Sequence, residues 1–273
     1  MTCKRYFLLP LLVSTLFVVV TQPSSAFQSS DFYMQGGEWY DDWGINRNNY
    51  AGQNGYLPNL AFETLGENRE LAYDIGLWFK NNYQIETDRA EAILKYVQTW
   101  TEYGYDSDNV FMNDIPQEEW AWNADEMANA FNETTGAKAI GDCEDIAFLC
   151  GTIYVAAGFE AAVVDATDHA ALLIWLPEFA NANYYWDLPN DDRDAGWIWV
   201  EATSSSNPLG WTPPDFDDGG WTAYSIGPLE FVPDPQPTEP TSTDFPSIDF
   251  EVLIAIAAVI FSIILGYIKS KTR

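Results

Sequence analysis

From residue 146 to 157 the apolar positions Ile146, Leu149, Cys150, Ile153, Tyr154 and Ala157 recur at intervals of three and four, which predicts an amphipathic helix. Asp142 suits its N-cap, Glu144 and Asp145 place negative charge in its first turn, and Gly158 marks its end. The period then shortens. Residues 159–165 and 169–175 are apolar runs on either side of a polar turn at Thr167 and Asp168, the signature of an antiparallel strand pair. A third run, 197–203, alternates so that Trp199 and Glu201 share one face while Ile198 and Val200 take the other; His169, Ala171 and Leu173 likewise share a face. Between the last two runs, residues 177–196 are rich in Asn, Asp and Tyr and read as a long loop or hairpin excursion. The expected fold is α+β, one helix packed on an antiparallel sheet.

The two ends carry a different pattern. Lys4 and Arg5 precede an apolar stretch, and Ser24, Ser25 and Ala26 offer small residues for cleavage, so residues 1–26 read as an export signal, with an uncleaved anchor as the alternative. Residues 252–268 are 17 positions without a charge, which as a helix rise roughly 26 Å, close to the hydrocarbon thickness of about 30 Å. Lys269, Lys271 and Arg273 follow directly and point the tail to the cytoplasm. The expected organisation is a signal (1–26), an aromatic, Asn- and Gly-rich lead-in (27–70), a main folded domain (71–231), a Pro- and Thr-rich stalk (232–249), a single transmembrane helix (250–268) and a basic cytoplasmic tail (269–273). The lead-in reads either as a carbohydrate-like binding surface or as a segment that packs on the domain.

Charge narrows the partners. All but one of the 41 acidic residues lie between residues 27 and 250, against seven of the 12 basic ones. Such a surface repels nucleic acid and anionic headgroups, and it suits cationic substrates or loosely held divalent ions. Asp192, Asp194 and Gly196, and Asp106 with Asp108, look like fragments of a calcium loop without the ligand set of an EF-hand, so calcium stays an open alternative and no other cofactor is expected. Asn132-Glu133-Thr134 is an acceptor sequence for N-glycosylation on an exported chain.

Cys143 and Cys150 remain after the signal. Seven residues on one helix separate them by roughly 10 Å, beyond the approximately 7 Å limit between the α-carbons of a disulfide. Cys143 is therefore expected as a free thiol in the first helical turn, where unpaired N–H groups and the helix dipole favour a thiolate. Cys150 reads as core. His169 is the only histidine in the chain. Two cysteines and one histidine without a paired C-x-x-C make a poor zinc set. If the faces bearing His169 and Glu201 look toward the helix start, a thiol, a base and an orienting acid converge, as nucleophilic cysteine catalysis requires.

Gly141-Asp142-Cys143-Glu144-Asp145, the strand opening His169-Ala170-Ala171, and Trp199-Val200-Glu201-Ala202-Thr203 resemble the transglutaminase-like superfamily, particularly its archaeal and bacterial cysteine-proteinase-like members. Tyr96-Val97-Gln98 on an expected helix, with Tyr103 and Asp106 after it, extends the resemblance over about residues 71–228. It implies a papain-like core with Cys143 as nucleophile, His169 as general base and Glu201 as orienting acid. Many relatives have aspartate then proline in the third motif, where this chain has Glu201-Ala202, and a tryptophan soon after the histidine. For the oxyanion, the Cys143 N–H is one donor, and Gln98 or Trp122 could supply a second; packing is the alternative role of each. Three classes stay open: a surface thiol hydrolase acting on amide bonds of peptides, proteins or cell-wall-like polymers, an acyltransferase cross-linking to amines, and a non-catalytic binding module.

Overall fold

The computed structural model describes residues 32–41, 43–50, 55–63, 70–188 and 191–226. The expected signal, stalk, membrane helix and tail lie outside the described residues, among which no helix is long and apolar enough to cross a membrane. A hairpin of β1 (Tyr33–Gln35) and β2 (Glu38–Tyr40) leads into α1 (Tyr56–Glu63), α2 (Glu70–Asn82) and α3 (Glu86–Trp100). In α3 the buried residues Ala90, Ile93, Leu94 and Val97 follow the helical repeat. Then come β3 (Thr101–Tyr103), α4 (Asp106–Asn109), a small hairpin of β4 (Phe111–Met112) and β5 (Ile115–Pro116), and α5 (Ala124–Ala130). Asn123 starts α5 by reciprocal capping: its side chain accepts the Glu126 N–H at 2.9 Å, and the Glu126 carboxylate accepts the Asn123 N–H at 2.7 Å.

The centre is α6 (Cys143–Ala156), reached through β6 (Ala139–Gly141), which pairs in parallel with β3. The sequence pattern promised one apolar face on α6. Instead nearly the whole helix is buried, because α2, α3 and α5 pack on one side and the sheet on the other. Gly76 permits the α2 contact: a Cβ there would stand 2.4 Å from the Ile153 carbonyl oxygen and the Ala156 Cβ. Gly158 ends the helix at φ 98°, a conformation that glycine adopts at little cost.

The sheet is antiparallel, in the order β10 (Thr222–Ile226), β7 (Ala161–Ala166), β8 (His169–Trp175), β9 (Trp197–Val200). The turn at Thr167 and Asp168 joins β7 to β8, with Ala166 opposite His169 and Asp168 at φ 53°. β9 stops before Glu201, three residues short of the expected run. There the Thr203 N–H and hydroxyl turn onto the Glu201 carboxylate, so local bonds replace the ladder. The 177–196 excursion folds back on β9, with the Trp186 N–H donating to the Trp197 carbonyl at 2.8 Å.

Residues 170, 172, 174, 198 and 200 face α6 in the main core. On the opposite face, Ala171, Leu173, Trp197 and Trp199 form a second core under Trp186, Phe216 and Trp221. The described part of the lead-in packs into the main body. Leu57, Leu60 and Ala61 of α1 join the main core, and fully buried Arg47 pairs with Asp41 and Glu126 at 2.9 and 3.0 Å.

Candidate active site

Glu201 is built as a receiver for the imidazole. Its Oε2 lies 2.8 Å from His169 Nε2 and accepts the Trp199 indole N–H at 3.3 Å, while Oε1 accepts the Thr203 hydroxyl at 2.5 Å and the Thr203 N–H at 3.3 Å. Burial works to raise its proton affinity, but the bonds from His169, Thr203 and Trp199 outweigh it and hold the carboxyl below its ordinary range. Phe216 fixes the ring from the outer side. It stacks on His169 with centroids 5.2 Å apart at 11°, and on Trp199 at 5.5 Å and 9°. The imidazole is thus held by a bond on one edge and a flat ring on one face. Among the described residues Nδ1 has no hydrogen-bond partner and is the ring nitrogen left for a substrate or a thiol.

The route by which this pair meets the helix differs from the sequence expectation. His169, Trp199 and Glu201 do share a face, but it is the outer one, turned away from the body of α6. Cys143 belongs to the α6 side, and contact is made at the end of β8, where the Ala170 N–H reaches the Cys143 sulfur. The thiol donates to Glu144 Oε2 at 3.3 Å. Cys143 and Cys150 are both free, the first half-buried and the second buried.

The electrostatics of the thiol also correct the expectation of a ready thiolate. Burial first, then the charges of Glu144 and Asp142, push the Cys143 thiol above its ordinary range, against the opposing pull of the Ala170 N–H. The position at a helix start does not offset burial and the acidic residues beside the sulfur. Glu144 is itself buried among acids and is pushed up to about 7 by burial and by the charge of Asp145, with hydrogen bonds from Asp142 and, more weakly, the Tyr56 hydroxyl pulling the other way. Asp106 is pushed up to about 8 by burial and the charge of Asp142. Asp145, fully buried, is raised for the same two reasons. Gly141 of the motif has a steric reason: a Cβ there would lie 2.6 Å from the Asp145 carboxylate, which accepts the N–H groups of Trp122 at 2.7 Å and Asp142 at 3.2 Å.

Asp106, Glu119, Asp142, Glu144 and Asp145 form overlapping groups whose oxygens lie within 4.8 Å of one another. That spacing would suit a divalent cation, and protons held at raised affinity satisfy it equally. Of the calcium fragments expected from sequence, Asp106 is in this cluster. Asp108, Asp192 and Asp194 are exposed and join no such group among the described residues.

The two side-chain oxyanion candidates are placed differently. Gln98 donates from Nε2 to the carbonyl oxygens of Asn207 at 2.9 Å and Glu201 at 3.4 Å, so both its amide hydrogens brace the loop after β9. Trp122 is half-buried beside the helix start, and its indole N–H makes no hydrogen bond among the described residues. Its ring borders a cleft of about 470 Å³ with Met127, Lys138 and Ile140. A smaller cleft of about 200 Å³ runs past Tyr103, Lys138, Thr203 and Ser205, directly behind the Glu201 loop. Sequence reasoning missed Tyr56, Glu119 and Phe216. None sits in a motif; an isolated aromatic or acid carries no local mark of its distant partner.

No protein-family model matches the chain, and no curated protein matches it.

Proposed function

We propose that this chain is a thiol enzyme of transglutaminase-like, papain-like type that acts on amide bonds through Cys143, His169 and Glu201. The observation that carries this reading is the 2.8 Å His169–Glu201 pair, braced by Trp199, Thr203 and Phe216, beside the start of the helix that bears the half-buried free thiol. A histidine held solely for packing needs no such set of restraints. In the proposed reaction the Cys143 sulfur attacks the substrate carbonyl as His169 Nδ1 takes its proton. The imidazolium, steadied by Glu201, returns that proton to the leaving amine, and water then cleaves the thioester. The Cys143 N–H and the Trp122 indole are the donors proposed for the oxyanion. The acidic surface favours substrates with cationic groups, in a peptide, protein or cell-wall-like polymer. Export and a C-terminal anchor would place this chemistry at the cell surface.

The test is mass spectrometry of a glutamine-containing peptide incubated with a primary amine and the full-length protein. Cleavage or deamidation that disappears in Cys143→Ala supports hydrolysis, and amine incorporation moves the assignment to acyl transfer. Peptide processing unaffected by Cys143→Ala would overturn the reading.

A further inference from the structure

A chain of hydrogen bonds runs from the lead-in to the thiol, and the catalytic scheme does not use it. Tyr56 of α1, 2 % exposed, donates to Glu144 Oε1 at 2.8 Å and also contacts Glu119 Oε1. Glu144, 4 % exposed, accepts the Cys143 S–H on its other oxygen at 3.3 Å. The Tyr56 hydroxyl thus lies between two carboxylates, those of Glu119 and Glu144. The Tyr56 ring is wedged edge-on against Phe148 of α6 at 6.4 Å, which leaves the phenol little room to turn away.

We infer that Glu144, clamped by Tyr56, is a positioning residue that holds Cys143 as a neutral thiol directed away from the imidazole, so that the charge on Glu144 sets how readily the nucleophile forms. This rests on the reading of Cys143 as nucleophile and adds a restraint to it. The geometry gives Glu144 both oxygens engaged, one by a buried donor from another element and one by the sulfur, and the neighbouring Asp142 carboxyl is hydrogen-bonded to it as well. The charge has the right sign, since an anion beside the sulfur disfavours a second anion there. Removing it favours the thiolate and frees the sulfur for His169 Nδ1. The Glu144 carboxyl, pushed up to about 7, loses its charge within the neutral range.

The groups facing this pair come from each neighbouring element: Asp142 and Asp145 at the helix start, Tyr56 from α1, Asp106 from α4, Glu119 from the segment before α5, Tyr103 from β3 near the sulfur, and His169 from β8, next to the Ala170 N–H that reaches the sulfur. On this assignment, protonation of Glu144 below about pH 7 eases thiolate formation. The alkylation rate of Cys143 therefore falls less steeply with decreasing pH than the tenfold per unit of a thiol with fixed surroundings, which gives a shoulder near neutrality.

The experiment is the rate of Cys143 alkylation by iodoacetamide across pH 5 to 9 in the full-length protein, read by peptide mass. Glu144→Gln should lose the shoulder and react faster at pH 7.5. Each unit of lowered pKa gives about tenfold more thiolate, and a Brønsted slope of about 0.4–0.5 returns part of that, so roughly threefold per unit is the net gain. Tyr56→Phe removes a bond that lowers the Glu144 pKa, so its shoulder should move to higher pH; this variant decides the matter if Glu144→Gln does not fold. Cys143 alkylation indifferent to both substitutions would overturn this inference and leave the thiol-enzyme reading standing. A Cys143 that no variant renders reactive in the folded protein would overturn both.

Discussion

His169 and Glu201 are legible in the sequence for different reasons. The histidine has no rival in the chain, and the glutamate sits in an alternating aromatic run whose period assigns it a face. What the period cannot give is the orientation of that face relative to α6, which depends on which side of the sheet the helices cover. Nor can it give Phe216, which stacks on His169 from 47 positions downstream, or Tyr56, which reaches Glu144 across 88. The braced pair makes a specific demand on Glu201. In Glu201→Gln one end of the side chain becomes an N–H donor, so the Thr203, Trp199 and His169 donors can no longer all be met. Turnover should fall by about 10²-fold or more, in line with the loss of general acid–base catalysis. Cys143 alkylation should survive in part, because the thiol's own neighbours, Glu144 and Asp142, are untouched. Steady-state turnover beside alkylation rate on the same variant checks this; an unchanged turnover would remove Glu201 from the mechanism.

The elements near the site are those with a clear local code. The capping position and acidic first turn mark the start of α6, and the Thr167-Asp168 turn marks the β7–β8 hairpin. β10 is different: residues 222–226 include Ala223 and Tyr224 on one strand of mixed polarity, and its place beside β7 comes from long-range pairing. The burial of α6 on nearly all sides likewise follows from three helices converging on it, and its sequence signals this only through small residues such as Ala147, Gly151 and Ala156. Convergence makes the α2 contact unforgiving. Gly76→Ala gains helix propensity of about 1 kcal/mol. It also places a methyl group 2.4 Å from a backbone carbonyl that cannot move without displacing α6. Overpacking of this kind costs about 1–3 kcal/mol, and the rigid neighbour puts this site at the upper end. A net fall in Tm of several degrees is therefore expected on thermal unfolding, and an unchanged or higher Tm would show that α2 and α6 do not approach so closely.

At the scale of the molecule the acidic excess is obvious from composition, while its concentration around the thiol is not, because Asp106, Glu119 and the Asp142–Asp145 segment meet only when β3 and β6 pair. This cluster sets an unusual pH dependence of stability. Asp106 and Glu144 hold their protons more tightly folded, at about 8 and about 7, than an unfolded chain does near 4. The folded state therefore binds more protons across that window, and their contribution to stability is full below about pH 4 and is lost as pH rises through 7 to 8. Glu201, held below its ordinary range, acts in the opposite sense and only toward acid. Urea unfolding should give a higher midpoint at pH 5.5 than at pH 8.5; the reverse order would mean that the cluster is ionised at little cost, as a bound cation would allow. The central assignment can be tested without knowing the substrate, by following the full-length protein with p-nitrophenyl acetate and weighing it intact. A burst of nitrophenol matched by one acetyl group on Cys143, absent in Cys143→Ala and slowed in His169→Ala, is the expected result; acetylation elsewhere, or a burst indifferent to both substitutions, would contradict it.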